Sequence, residues 1–417
     1  MDSRPRKPGP WLLLTAASAL AAVIAVIATG DWGKLPHYGA SLVALSLLVA
    51  LALGVWFGHR GRLRLVRLSE AALCLYGVQL ASGGLVSLLD HAGWSIALHL
   101  AFSGVALLAL LLACADLLTG ERALRPRRAG EGGWRDYVAL TKPRIMTLLL
   151  VTAAGGMFVG ARGVPSLGLL FAMLGGLALA AGGASALNHL LDRDIDRHMT
   201  RTDRRPVAVG RIPPERALEF GLALSAFSFV VLASFTNILT AALAIFGNLF
   251  YVLVYTRWLK RTTPQNIVIG GAAGAIPPVV GYAAASGSLA LPALFLFLIV
   301  FVWTPPHFWA LALLIKRDYA AARIPMLPVV RGDSRTAKAI TRYTALTVLV
   351  TLLPVLTGDL RWLYLAAAIA LGAAFLGLAV ALERKLTPAR SRRLFSFSLA
   401  YLSLLFVAMA VDPIVLA

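Results

Sequence analysis

The chain has little of what a water-soluble protein needs. Only 14% of its 417 residues are charged, where a typical soluble domain is nearer a quarter. Acids are the scarcest class, with 19 Asp+Glu against 39 Lys+Arg. There are two cysteines, Cys74 and Cys114, and both fall inside apolar runs, which excludes a disulfide framework or a Cys-rich metal site. No polar stretch is long enough to form a soluble domain between the apolar runs. Hydrophobic residues, by contrast, make up 59% of the chain, and the mean hydropathy is +0.80.

Apolar runs of about 17–25 residues, the length of a membrane-crossing helix, recur from end to end. They lie at 11–29, 38–58, 69–89 and 95–118, and then at 145–162, 167–187, 217–235, 238–256, 265–285, 291–315, 343–357, 362–382 and 394–413. The expectation is an all-α, polytopic integral membrane protein of about thirteen transmembrane helices. The first run follows Arg4, Arg6 and Lys7 and contains Ala16-Ala17-Ser18-Ala19, as a signal peptide can. Its length and the charge alternation favour a retained anchor.

The formal charge of +20 suggests nucleic acid in a soluble chain and basic loops on one side in a membrane chain. Position decides. With the N-terminus cytoplasmic, the segments 4–7, 60–67, 122–144, 193–216, 257–261, 316–342 and 384–393 all face the cytoplasm, and they hold 36 of the 39 basic residues. Lys34, Arg162 and Arg361 are the exceptions. The positive-inside rule therefore orients the chain with its C-terminus outside. No folded domain offers a basic face to nucleic acid. The Gly- and Arg-rich segment 119–140 reads as a cytoplasmic linker between a four-helix part, 1–118, and a nine-helix part, 141–417.

Two polar stretches of the second part, 188–216 and 316–342, follow membrane helices on the same side, where a site at the membrane surface would be built. In the first, Asn188, Asp192 and Asp196 fall at i, i+4 and i+8, advancing about 40° per step and sharing one helical face. Oxygen ligands one turn apart suit Mg²⁺, completed by water and substrate phosphates. Asp194 points elsewhere. The same acids can also be read as a solvated helix end paired with Arg193, Arg197 and Arg201. The second stretch brings Lys316-Arg317-Asp318-Tyr319, so that two helices offer acids that could hold metal on both sides of a diphosphate. Lys142, Arg144, Arg201, Arg204, Arg205, Lys260 and Arg261 are cations on the same side. Each taken alone is an ordinary topological charge. Together they suit a reaction that loses diphosphate and shelters a carbocation in an apolar cavity.

Asn188-x-x-x-Asp192-x-x-x-Asp196, followed by Arg201-Thr202-x-Arg204-Arg205-Pro206, resembles the first Asp-rich motif of the UbiA superfamily of intramembrane prenyltransferases. Further stretches resemble the heme-farnesylating branch: Thr141–Arg144, Tyr255-Thr256 with Leu259–Arg261, Asn266–Gly271, Thr304–Ala312 and Ile324–Val330. The resemblance spans about 135–415. It implies farnesyl transfer from farnesyl diphosphate to a vinyl group of heme b, with water adding to leave a hydroxyethylfarnesyl side chain. By position it implies Mg²⁺ at Asn188, Asp192, Asp196 and Asp318. It puts diphosphate at Lys142, Arg204, Lys260 and Arg261 and Tyr255 on the cation's path, and Arg144, Arg201 and Lys316 are further diphosphate candidates by their charge on the same side. Where the superfamily often has a second acid four residues after Asp318, this chain has Ala322.

His307, in Trp303-Thr-Pro-Pro-His307-Phe-Trp309, reads either as packing beside a proline kink or as a heme contact. In the first part, His37 and His99 open the second and fourth helices on the outer side, where two imidazoles in a bundle can ligate a heme iron. Tyr76–Leu85 and Trp94–His99 resemble one four-helix half of heme A synthase, without the Glu that usually precedes the first His of its catalytic half. A heme-holding or docking module follows from that, with heme A synthase or terminal-oxidase assembly factors as partners in a bacterial cytoplasmic membrane. The alternatives are a quinone- or chlorophyll-type prenyltransferase and, in another class, a heme-binding or transport protein, which would carry charges near the midplane.

Overall fold

The computed structural model describes residues 10–28, 34–59, 62–88, 93–119, 132–358 and 360–415. The basic group 4–7 and linker residues 120–131 lie outside them. Every regular element among the described residues is helical. Helices α1 (Pro10–Ala28), α2 (Lys34–His59), α3 (Leu63–Leu88) and α4 (Gly93–Thr119) form the first unit. The second opens with the short α5 (Trp134–Thr141), then α6 (Pro143–Ala161), α7 (Leu167–Leu191) and the one-turn α8 (Arg193–Asp196). It continues through α9 (Pro214–Phe235), α10 (Ile238–Leu249), a π-helical segment (Phe250–Leu259) and α11 (Lys260–Thr262). The chain ends with α12 (Asn266–Ser286), α13 (Leu291–Leu314), α14 (Lys316–Ala321), α15 (Leu327–Arg331), α16 (Asp333–Thr351), α17 (Trp362–Arg384) and α18 (Pro388–Val415).

Eleven of these helical stretches are long and apolar enough to cross a membrane, so the chain is a multi-pass membrane protein. The two that fall short are the second and third of the expected spans. Helix α2 is apolar only over Ala40–Trp56, and α3 begins with Arg64, Arg67 and Glu70.

Local chemistry sets the helix ends. Proline stands in the first turn of α6, α9 and α13, where its missing N–H costs nothing. Asn237 caps α10 by accepting the Thr240 N–H at 2.9 Å. Asp412 of α18 is fully buried because it caps α17 from outside, accepting the Arg361 N–H at 2.5 Å and the Tyr364 N–H at 2.9 Å.

Close packing comes from small residues. Helices α6 and α12 approach so tightly that a Cβ on Gly281 would lie 1.8 Å from the Ala153 carbonyl oxygen. A Cβ on Gly156 would lie 2.1 Å from that of Pro278. The first unit leans on α9 through α4, where Gly104 abuts the Phe227 ring, and through an Arg64–Glu219 ion pair at 2.9 Å.

Candidate active site

The Asn188–Asp196 face survives a break in the helix. Helix α7 ends at Leu191 and Asp192 takes φ −90° and ψ 1°. Even so, the Asp192 N–H bonds the Asn188 carbonyl at 2.9 Å and the Asp196 N–H bonds that of Asp192 at 2.8 Å. All three side chains are buried. Asn188 Nδ2 donates to Asp192 Oδ2 at 2.8 Å and to Thr256 Oγ1 at 3.1 Å.

Cations converge on this face from three elements. Lys142 Nζ donates to Asn188 Oδ1 at 2.8 Å, and Lys260 Nζ donates to Asp192 Oδ2 at 2.5 Å. Arg205 Nη1 bonds both oxygens of Asp196 at 2.9 and 2.8 Å. Arg261 grips Asp194 with two bonds of 2.7 and 2.8 Å and donates to the last carbonyl of α7, Leu191, at 2.7 Å. Its guanidinium also stands 3.8 Å from Asp192 Oδ1, a buried oxygen with no hydrogen bond.

Lys142 reaches the site through an uncommon backbone. It links α5 to α6 in the left-handed region, φ 52° and ψ 59°, and the following Pro143 disfavours the right-handed helical alternative. Burial pushes its ammonium well below the ordinary lysine value, and the nearby Arg205 and Lys260 add to this. Three cations crowd a space whose acids only partly balance them. Arg261's hydrogen bonds, by contrast, push the half-exposed Asp194 carboxyl down to about 2.

Beneath this polar cage lies an apolar cavity of about 320 Å³ walled by α6, α7, α10, the π-helical segment, α12 and α13. Lys142 and Ser185 stand at its polar end, and Leu177, Ile276 and Pro277 line it farther in. Tyr251 and Tyr255 line it as a stacked pair, 5.5 Å between ring centres. Across the site, Asp318 on α14 accepts the Thr200 hydroxyl at 3.2 Å. Burial pushes the neighbouring Tyr319 hydroxyl up to about 12, against the pull of Arg201 and Arg205.

The structure therefore brings Asn188, Asp192, Asp196, Lys142, Lys260, Arg261 and Tyr255 together, with Arg201 and Asp318 at the rim. Arg144 and Arg204 are exposed, and Lys316 is paired with Asp333 at 2.7 Å. His307 is clamped between Trp303 and Phe395, ring centres 4.4 and 4.8 Å away. Its Nδ1 is bonded to Ser398 Oγ at 2.7 Å, and it does not line the cavity.

Arg205, Thr256 and Tyr251 carry contacts that the sequence reading did not assign them individually. Arg205 was read only as one of the cations on that side and Thr256 only as part of a motif stretch, while Tyr251 left no signal. In the first unit, His37 Nδ1 lies 3.1 Å from the Val26 carbonyl, and His99 Nδ1 lies 3.1 Å from the Gln79 carbonyl and from Ser82 Oγ.

An acid-and-amide face ringed by cations over an apolar cavity is the architecture of an intramembrane prenyltransferase. The chain matches the UbiA prenyltransferase family over residues 149–405 and belongs to that family. Curated relatives include protoheme IX farnesyltransferases. The one from Gloeobacter violaceus is 55% identical over 67% of this chain and 92% of its own length. That from Roseiflexus sp. (strain RS-1) is 44% identical over 93% and 77%, and one from Thermus thermophilus is 43% identical over 96% and 68%. Among solved structures, digeranylgeranylglyceryl phosphate synthase superposes with a TM-score of 0.57 at 17% identity, over 67% of this chain and 98% of that one. A UbiA homologue from Aeropyrum pernix K1 gives 0.52 at 21%, over 64% and 98%. Both share its fold.

Proposed function

We propose that this protein converts heme b to heme O, transferring a farnesyl group from farnesyl diphosphate to a heme vinyl group and releasing diphosphate. The observation that carries the reading is the cage of Lys142, Arg205, Lys260 and Arg261 around Asn188, Asp192 and Asp196, set directly over an apolar cavity. The name shared by the relatives supplies the acceptor and the donor.

The donor set fits Mg²⁺: one amide and two carboxylates on a single face, with the buried Asp192 Oδ1 lacking a hydrogen bond. Asn188, Asp192 and Asp196 would hold the ion, with Asp318 contributing from the rim. When bound, the ion supplies positive charge that stabilises the departing diphosphate. The chain's own residues do the rest. Lys142, Lys260, Arg205 and Arg261 bind the diphosphate and keep it from recombining. The cavity walls exclude bulk water while the allylic carbon is electron-poor. The faces of Tyr251 and Tyr255 present π-electron density along its path. As the allylic C–O bond to diphosphate breaks, the terminal vinyl carbon forms the new C–C bond, and water adds to the cation left on the adjacent carbon and gives up a proton to complete the hydroxyethyl group.

Residues 1–118, 119–140 and 141–417 act as an accessory unit, a linker and the transferase. The catalytic loops face the cytoplasm of a bacterial cell, and the C-terminus lies outside. A second reading concerns the accessory unit. Both His37 and His99 are oriented through Nδ1 to a backbone carbonyl, the arrangement by which a ligating histidine turns Nε2 to a metal. On this reading α1–α4 hold a heme, which a heme A synthase or terminal-oxidase assembly partner would use.

The test is direct. Purified protein with Mg²⁺, farnesyl diphosphate and heme b should yield a farnesylated heme, while 4-hydroxybenzoate offered in its place should yield nothing. Prenylation of 4-hydroxybenzoate alone would move the chain to the quinone-type enzymes. For the second reading, the intact protein should show a bis-histidine heme spectrum that His99→Ala removes.

A further inference from the structure

Four glycines line the apolar cavity: Gly247, Gly270, Gly271 and Gly274. A Cβ added to three of them would meet protein at once. On Gly270 it would lie 2.3 Å from Tyr255 Cδ2, on Gly247 3.0 Å from Ile276 Cγ2, and on Gly271 3.1 Å from Thr304 Cβ. Those three glycines are explained by the packing of the cavity wall. Gly274 is not, because a Cβ there has no heavy atom within 4 Å. Glycine inside a helix is less stable than alanine, and nothing in the protein asks for it at this position. The space in front of Gly274 belongs to the cavity.

Its depth is informative. Gly274 stands eight residues into α12 from Asn266, which at the helical rise places it about 12 Å below the polar end. Ala180 and Ala181 of α7 line the cavity. Leu177, Ile276 and Pro277 also line it and are bulkier. An extended isoprenoid whose diphosphate sits at Lys142 and Lys260 reaches this level with its third five-carbon unit, not its second.

We infer that Gly274 sets the length of isoprenoid chain the cavity accepts: the missing side chain leaves room for the terminal isoprene unit of a fifteen-carbon donor. The inference rests on the proposed function for the location of the diphosphate. It goes beyond it in assigning chain-length selection to one residue outside the polar cage.

The experiment is a graded series, Gly274→Ala, Gly274→Val and Gly274→Phe, in the full-length protein with helical circular dichroism and gel-filtration behaviour as controls. Each variant is assayed with farnesyl and geranyl diphosphate on heme b, and the dissociation constant of each diphosphate is measured by tryptophan fluorescence without acceptor. The farnesyl-to-geranyl ratio of kcat/KM should fall stepwise with side-chain size, by about tenfold or more at Phe. The ratio of dissociation constants should move the same way, and the KM for heme b with geranyl diphosphate should not move.

An unchanged ratio overturns the inference. So does equal loss with both donors across the series, or a rise in heme KM with the donor ratio intact, which would place heme rather than isoprenoid against Gly274. Failure of the wild-type protein to prenylate heme would instead count against the proposed function, and the acceptor-free dissociation constants would still decide the role of Gly274.

Discussion

At the scale of single residues, the site is held by pairs whose members are not interchangeable with their sequence neighbours. Arg205 bonds both oxygens of the buried Asp196, while Arg204 is exposed and its carbonyl accepts Arg211. Arg205→Ala leaves a buried carboxylate unpaired. It should lower stability by about 3 kcal/mol and abolish most turnover, whereas Arg204→Ala should stay within about 0.5 kcal/mol. Thermal unfolding in detergent and the transfer assay check both. Asp194 behaves differently because it is half-exposed. Its folded value, about 2, lies below the ordinary 3.8, so its pairing with Arg261 stabilises the fold above pH 4 and that contribution is lost as the pH falls toward 2. Solvent screening keeps it below about 1 kcal/mol. The Tm difference between wild type and Asp194→Asn should therefore be flat from pH 7 to 5 and close below pH 4. The i, i+4, i+8 spacing of Asn188, Asp192 and Asp196 made their shared face legible, since a helix turns that spacing into proximity. The Lys316–Asp333 and Thr200–Asp318 pairings and the contacts of His307 with Phe395 and Ser398 were not legible, because each joins segments whose meeting depends on how whole helices pack, whereas the stacking of His307 on Trp303 is local to α13 and agrees with the packing reading.

At the scale of elements, hydropathy located the helices but not their irregularities. The break at Asp192 and the π-helical segment 250–259 carry no apolar signature. The π segment nevertheless supplies Tyr251, Tyr255 and Thr256 to the site, as wide turns in helices often do at functional places. The proline pair Pro305–Pro306 was visible as a helix disturbance, while Pro277–Pro278 was not singled out, and both lie in helices that wall the cavity. Acids inside the apolar runs are rare enough that each calls for a reason, and for Asp412 the reason is the α17 cap. Asp412→Ala strands two N–H groups at that helix start and should cost about 1–2 kcal/mol. The Tm should fall, and donor and heme KM values should hold. A selective loss of turnover without a Tm change would show that Asp412 acts on the site instead.

At the scale of the whole molecule, the +20 charge lies mostly in loops and toward helix ends, and the small share that enters the site is bonded to its acids and to Asn188. That pairing has a thermodynamic consequence. Lys142, Lys260 and Arg205 are the present partners of Asn188, Asp192 and Asp196, so on the proposed function a diphosphate that drew the cations away would uncover oxygens for a divalent ion, and the ion would in turn release the cations. Each ligand prepares the place of the other. Linkage then requires that Mg²⁺ strengthen diphosphate binding and diphosphate strengthen Mg²⁺ binding by the same factor, about 5–150-fold if the coupling is of usual size. Paired calorimetric titrations measure both factors, and unequal or absent enhancement would mean that the two bind as strangers. A chain built this way holds each half of its site in reserve: either ligand alone meets groups that are largely engaged with one another.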